Sequence, residues 1–338
     1  MSYYLYILSG PRLLAFSMDP ASGHLELKHE VGTGKKGHAA CADTARKNFY
    51  VGLSQGDDHA LASYAIDQNT GGLTPTGQVA LDGMPCYLST DQTGQYLLAA
   101  YYSAGLATVH AIGENGALQD PPACHYPTEL YAHSIATDAS NRYAFVPHVS
   151  KANSIYQFNF NETSGQLTPN AAVPILACGD GEGPRHLTFH PTLDILYTDN
   201  EQGSSVTVYR LDTNDGTLKA VQTVSTLPEG GHEGNSNAQL HIHPSGKSIY
   251  ASNRGHDSIA MFSIDPVTGL ITSLGQQPGE PTPRAFAIEP NGNFLFSGAD
   301  GSNQLLTFRI GDNSVLEPHG EPYDLGGTSS WVYPLKLG

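Results

Sequence analysis

Apolar and polar positions alternate along this chain in short runs. Arg185-His-Leu-Thr-Phe-His190, Ile195-Leu-Tyr-Thr-Asp-Asn200, Ser205-Val-Thr-Val-Tyr-Arg-Leu211 and Leu218-Lys-Ala-Val-Gln-Thr-Val224 follow one another with Gly, Asn, Asp and Pro between them. Two-residue alternation rich in β-branched and aromatic side chains is the pattern of a half-buried strand. No apolar stripe with a 3.6-residue period runs far enough to support a helix. The pattern therefore predicts four short antiparallel strands in succession.

The same pattern repeats. A Gly-x-Leu-like turn recurs at Gly23, Gly71, Gly116, Gly165, Gly216 and Gly269, with a degenerate copy at Ser314. Between these lies a second anchor, a polar residue leading a Pro- or Gly-containing turn, at Asp43, Asp91, Asp138, His190, His243 and Glu289, with a weaker copy at Tyr333. Two independent markers give seven copies at nearly one period. Seven four-stranded units predict an all-β, seven-bladed β-propeller, because a lone blade cannot bury both its faces and a ring of blades can. The ends fit closure. The chain opens on a second strand (Tyr3 to Leu8), a third (Leu13 to Ser17) and a fourth (Leu25 to Val31), and it finishes on a first strand at Ser330-Trp-Val-Tyr. The last blade is thus expected to be closed by N- and C-terminal strands together, with residues 1–338 forming one domain.

Composition narrows the partners. Asp and Glu number 32 against 16 Lys and Arg, a net charge of −16. Such a surface repels a phosphate backbone and an anionic membrane, so neither a nucleic acid nor a membrane is expected as partner. No run of 18 apolar residues exists to span a bilayer. The N-terminus has no cationic segment or A-x-A site of a secretory signal, and Cys41, Cys86, Cys124 and Cys178 are widely spaced with no CxxC. The expectation is a cytoplasmic protein with free thiols.

Internal repeats separate scaffold from site. A residue type that recurs at one repeat position serves the blade; a polar residue singular at its position needs another reason. By this test His241 and His243 are scaffold, since His243-Pro aligns with His190-Pro and Glu289-Pro. In a propeller the start of each first strand and the end of each second strand meet at one mouth of the axial tunnel. Counting back five from each anchor gives His38, Cys86, His133, Arg185, Ala238, Arg284 and Thr328. Counting forward eleven gives Ser54, Tyr102, Val149, Glu201, Arg254 and Asp300, with Tyr101, His148 and Asn200 one residue short. Three of the chain's arginines fall on these rings in an otherwise acidic protein, which points to a pocket for an anion held by guanidinium forks. His186, beside Arg185, and Gln239, beside Ala238, are neighbours of the same mouth.

The cluster offers an imidazole, a carboxylate and two or three guanidiniums. No G-x-S-x-G elbow, P-loop or helix-opening GxGxxG is present, and no Cys/His/Asp set converges on the mouth, so neither cofactor nor metal is expected. The available chemistry is proton transfer beside an anionic or polarised oxygen. Lactone hydrolysis and cycloisomerisation both fit, and a non-catalytic interaction platform is a third reading.

Three stretches carry a resemblance: Gly183-Pro-Arg-His186; Leu240-His-Ile-His-Pro-Ser-Gly-Lys-Ser-Ile-Tyr-Ala-Ser-Asn-Arg254-Gly-His-Asp-Ser-Ile; and Pro281-Thr-Pro-Arg284-Ala-Phe-Ala-Ile-Glu-Pro-Asn-Gly. Together they resemble the lactonase family of seven-bladed propellers, which includes cycloisomerase-type 6-phosphogluconolactonases and fungal carboxy-cis,cis-muconate lactonising enzymes. The resemblance covers essentially the whole chain. The ring positions and their neighbours supply Arg284, His148, His38, Gln239, His186 and Tyr101 as candidate substrate-binding residues, and the resemblance implies a catalytic set of His133, Arg185, Glu201 and Arg254. It also implies, as substrate, a small anionic lactone or a dicarboxylate. At Gln239 many relatives carry an acidic residue, so the carboxylate count expected at this mouth is lower.

Overall fold

The computed structural model describes residues 1–338 and contains strands, turns and no helix. Seven separate antiparallel sheets follow one another along the chain, each built in strand order from the axis outward. They occupy residues 36–81, 85–127, 136–177, 184–225, 236–278 and 285–324, and the seventh combines Trp331–Leu337 with Ser2–Ser9, Arg12–Met18 and Leu25–Gly32. Ser2 to Leu8 pair with Leu337 to Trp331, so the first strand of the seventh blade is the C-terminus. In the third and sixth blades the outermost position is split between two short strands that share one partner, where a single fourth strand is expected.

The anchor residues are turn caps. Asp43 accepts hydrogen bonds from the backbone of Lys47 and Asn48, Asp91 from Gln95 and Tyr96, and Asp138 from Arg142 and Tyr143. His190 does the same through Nδ1 to Thr192 and Leu193, and its Nε2 reaches the Gly246 carbonyl of the next blade. His243 repeats this with Ser245 and Gly292. An imidazole can thus replace the carboxylate and also tie two blades together.

The Gly-x-Leu turn has an equally physical origin. A second-strand tyrosine of one blade donates its hydroxyl to a carbonyl of this turn in the next: Tyr6 to Gly71, Tyr50 to Gly116, Tyr96 to Thr163, Tyr143 to Asn214, Tyr197 to Gly269 and Tyr250 to Ser314. At the remaining joint Phe294 packs on Gly23. Gly165 shows why glycine is needed. Its φ is 70°, and a Cβ there would lie 2.6 Å from the ring of Tyr96. The core is correspondingly laid down between blades, one apolar layer joining the second and third, another the fourth and fifth, another the sixth and seventh.

Where the inner strands reach the mouth they bulge. Register shifts fall between Gly37 and Ala39, Pro85 and Tyr87, Pro184 and Leu187, and Asn237 and Leu240. A bulge inserts an unpaired residue and re-aims its side chain. His38, Cys86, Arg185 and Ala238 are at these bulges.

Candidate active site

The bulges and the ends of the second strands enclose a cavity of about 240 Å³. It is lined by Met84, Cys86, Tyr102, His133, Arg185, Glu201, Arg254 and Arg284. All but Met84 belong to the two rings counted from the anchors. A larger crevice, of about 450 Å³, lies at the outer edge between the sixth and seventh blades. It brings His24, His319 and Glu321 together without a cation cluster, and His319 is committed to the Ser22 carbonyl.

Glu201 organises the cavity. It follows directly on Ile195–Asn200, and the Arg185 Nε donates to its Oε2 at 3.0 Å. Arg254 Nη2 approaches its Oε1 at 3.1 Å and also donates to the Asn237 carbonyl at 2.6 Å. One carboxylate thus holds two arginines whose side chains are almost out of solvent, 3% and 15% exposed. Each of its oxygens holds one guanidinium, and no hydrogen bond joins it to His133. The third arginine is looser. Arg284 Nη1 lies 3.6 Å from Asp300, with both side chains about two-fifths exposed.

His133 is expected at the start of a first strand; it lies instead in an irregular segment before the two-residue strand Ala136–Thr137. Pro147 stands opposite. It has no N–H to give the ladder, so only its carbonyl is used, accepting from the His133 backbone N–H at 2.9 Å. The freed segment lets the imidazole sit against Tyr102 and His186, with ring centroids 5.6 and 5.4 Å away. Nδ1 is buried without a partner. Burial, and then the Arg185, Arg284 and Arg254 charges, hold its pKa well below the ordinary value of 6.5. It is held as a neutral imidazole. Arg185 is pushed down to about 10, chiefly by burial, and still carries its charge at neutral pH.

Cys86 is no nucleophile. Its thiol contacts the carbonyls of Ala100 and Ala132 at 3.3 Å, and burial pushes its pKa up to about 12. Nor does any group of three or more His, Cys, Asp or Glu side chains have the arrangement of a metal site.

The other candidates are placed elsewhere. Tyr101 and His148 each precede a ring residue by one, and strand alternation turns them into the layer between blades. Tyr101 meets Thr108 Oγ1 at 2.9 Å, and His148 gives Nδ1 to the Val146 carbonyl and stacks on Tyr156 at 4.5 Å. Gln239 reaches the sixth blade, its Oε1 accepting from the Phe286 N–H at 2.9 Å. A glutamate there would meet the same N–H, so the amide in place of an acid subtracts no carboxylate from the cavity. His186 lies behind His133 and plugs the tunnel, 4.9 Å from the Tyr87 ring and 6.0 Å from Trp331. His38 is engaged within the first blade by Ser54 Oγ at 2.6 Å.

One charged residue beside the cavity escapes the ring count. Asp199 alternates with Glu201 on the same strand and is fully buried. The equivalent repeat positions hold Gly52, Ala100, Pro147, Ser252 and Gly298. A lone charge in that series is the signal that identifies it.

Comparison with known proteins agrees with this architecture. The description "Lactonase, 7-bladed beta-propeller" matches residues 8–332. The chain is 33% identical to a 6-phosphogluconolactonase of Pectobacterium carotovorum over 94% of its own length and 93% of the other. It is 30% identical to one of Yersinia pestis over 98% of both. Among solved structures, the periplasmic gluconolactonase of Pseudomonas aeruginosa superposes with a TM-score of 0.91 at 21% identity over all of both chains. A Bacteroides fragilis structure gives 0.89 at 24% identity, covering 99% of this chain and 98% of that one. With the propeller, the matched span and these identities in agreement, the chain belongs to the lactonase family of seven-bladed β-propellers.

Proposed function

We propose that this protein hydrolyses the lactone of a sugar acid bearing an anionic group, 6-phosphogluconolactone being the substrate its relatives suggest. The observation that carries this reading is the convergence of three arginines and one neutral, unpartnered imidazole on a single cavity. In the reaction, water attacks the lactone carbonyl and the ring C–O bond breaks, leaving an alcohol and a carboxylic acid that ionises and releases its proton to solvent. His133 accepts the proton of the attacking water and returns it to the departing alkoxide. Arg185 and Arg254, fixed by Glu201, face the carbonyl oxygen and stabilise the negative charge it acquires. Glu201 holds both guanidiniums in the resting site, one on each oxygen, and no hydrogen bond joins it to the imidazole.

Hydrolysis asks the neutral imidazole to accept a proton from water, whereas cyclisation of an unsaturated diacid needs a proton delivered to carbon. Against an interaction platform, the exposed large apolar residues Leu27, Leu130, Ile175, Val221 and Val267 are scattered over several blades.

The test is a pH-indicator assay on 6-phosphogluconolactone and unphosphorylated gluconolactone. His133→Ala and Arg254→Ala are each expected to lower kcat/KM by at least ~100-fold. Full activity in both variants would remove the assigned roles. Isotope-labelled water distinguishes the reactions, since only hydrolysis places solvent oxygen in the product.

A further inference from the structure

Asp199 holds more acceptor capacity than its blade requires. In the fourth and fifth blades the inner-strand bulge leaves a backbone N–H outside the ladder, at His186 and Gln239. A side chain from the second strand takes each one. Asp199 Oδ1 accepts from His186 at 2.7 Å, and Ser252 Oγ accepts from Gln239 at 3.1 Å. The two are equivalent repeat positions, and in the fifth blade a single hydroxyl oxygen suffices. The fourth blade uses a carboxylate, whose second oxygen, Oδ2, is buried with no partner.

A complementary donor is orphaned on the facing strand. Arg185 Nη1 is also buried and unpartnered, while its Nε is held by Glu201. A buried donor without an acceptor and a buried acceptor without a donor are each costly. The two residues stand on paired strands, Pro184–Phe189 and Ile195–Asn200, and form no ion pair in the resting arrangement. Arg185 is the strongest favourable charge acting on Asp199, Arg254 adds to it and Glu201 opposes it, while burial pushes the carboxyl up to about 6.

We propose that Asp199 is a positioning residue, the reserve counter-ion of Arg185, which turns from Glu201 to Asp199 when substrate occupies the cavity. This rests on the lactonase reading of the site. The exchange releases Glu201 Oε2 from its guanidinium and leaves it facing the cavity as an acceptor. Oε2 then accepts a hydrogen bond from the attacking water or a sugar hydroxyl, while Oε1 stays on Arg254. The balance of two guanidiniums and two carboxylates is unchanged, so the shift leaves no buried charge unpaired.

Asp199→Ser copies the cap of the fifth blade and removes the second oxygen together with the charge; Asp199→Asn keeps the shape and removes the charge. With 6-phosphogluconolactone, both are expected to lose about 10- to 100-fold in kcat, the scale of a small misplacement of a reacting group, with KM changed less than about threefold. The acid limb of the kcat–pH profile should also shift. Wild-type kcat and profile in the serine variant would overturn the proposal, and if that variant does not fold the asparagine variant carries the same comparison. A wild-type protein that turns over neither lactone would defeat the lactonase reading instead. NMR of the arginine side chains, with 6-phosphogluconate as probe, then decides. An Arg185 response present in wild type and absent in Asp199→Ser supports the exchange, and an identical response in both overturns it.

Discussion

At the scale of single residues the three arginines are not equivalent. Arg185 and Arg254 share Glu201 and are nearly sealed from water, whereas Arg284 faces solvent and meets Asp300 only at 3.6 Å. A loose, exposed pair is worth little, so Arg284 can exchange Asp300 for a stronger anion at small cost. That makes it the guanidinium suited to a group remote from the lactone carbonyl, such as a phosphate. Arg284→Gln is therefore expected to raise KM for 6-phosphogluconolactone by about tenfold or more, the loss of one charge-assisted hydrogen bond. Its kcat, and its activity on unphosphorylated gluconolactone, should stay within about twofold. Parallel kinetics on the two lactones check this, and an equal loss on both would place Arg284 with the reacting atoms instead.

Individual elements show how a repeating sequence builds a ring. The tyrosine hydroxyl on the neighbouring blade's Gly turn recurs at six of seven joints, three of the bonds buried and three partly buried, and adds a polar tie to the apolar layers between sheets. Tyr197→Phe, which removes the donor to the Gly269 carbonyl, should cost about 1 kcal/mol, measured by urea unfolding. Gly165→Ala should cost more, since it adds a clash with Tyr96 to a strained φ; a neutral result would mean that the turn shifts freely. Such features are local in the sequence and were readable there. Blade count, ring closure and the −5 and +11 positions all follow from anchors that cap turns. What the sequence hides lies in departures from the ladder. Tyr101 and His148 are one residue off the ring, and a single step along a strand reverses the face presented. Pro147 takes His133 out of its strand, and the bulges aim Arg185 at the axis, yet neither effect appears in a hydrophobic pattern. Asp199 was detectable by the same internal comparison, applied two residues earlier along the strand.

Several buried histidines of the molecule are held neutral. Burial holds His38, His148 and His241 down to about 4, and His133 and His186 well below 6.5. For a base whose folded pKa lies below its unfolded value, the unfolded chain binds more protons as acid is added. Stability is thus full above pH 6.5 and drains as pH falls toward the folded pKa. His148, wholly out of solvent, alone should forfeit about 2 kcal/mol by pH 5. Asp199 works in the opposite sense. Its folded pKa of about 6 lies above the usual 3.8, so its penalty on the folded state is absent below 3.8, grows as pH rises toward 6 and is full above it. One carboxyl cannot offset five imidazoles, and a domain holds only about 5–15 kcal/mol in total. The Tm should accordingly fall steeply between pH 7 and pH 5, well before surface carboxylates titrate. In Asp199→Asn it should be higher than wild type at pH 8, with the advantage shrinking toward pH 4. Because the seventh blade fastens both chain ends into one ring, the loss should appear as a single cooperative transition rather than blade by blade. Calorimetry across this range reads both quantities, and a Tm unchanged from pH 7 to pH 5 would show that the interior imidazoles take up protons without opening the ring.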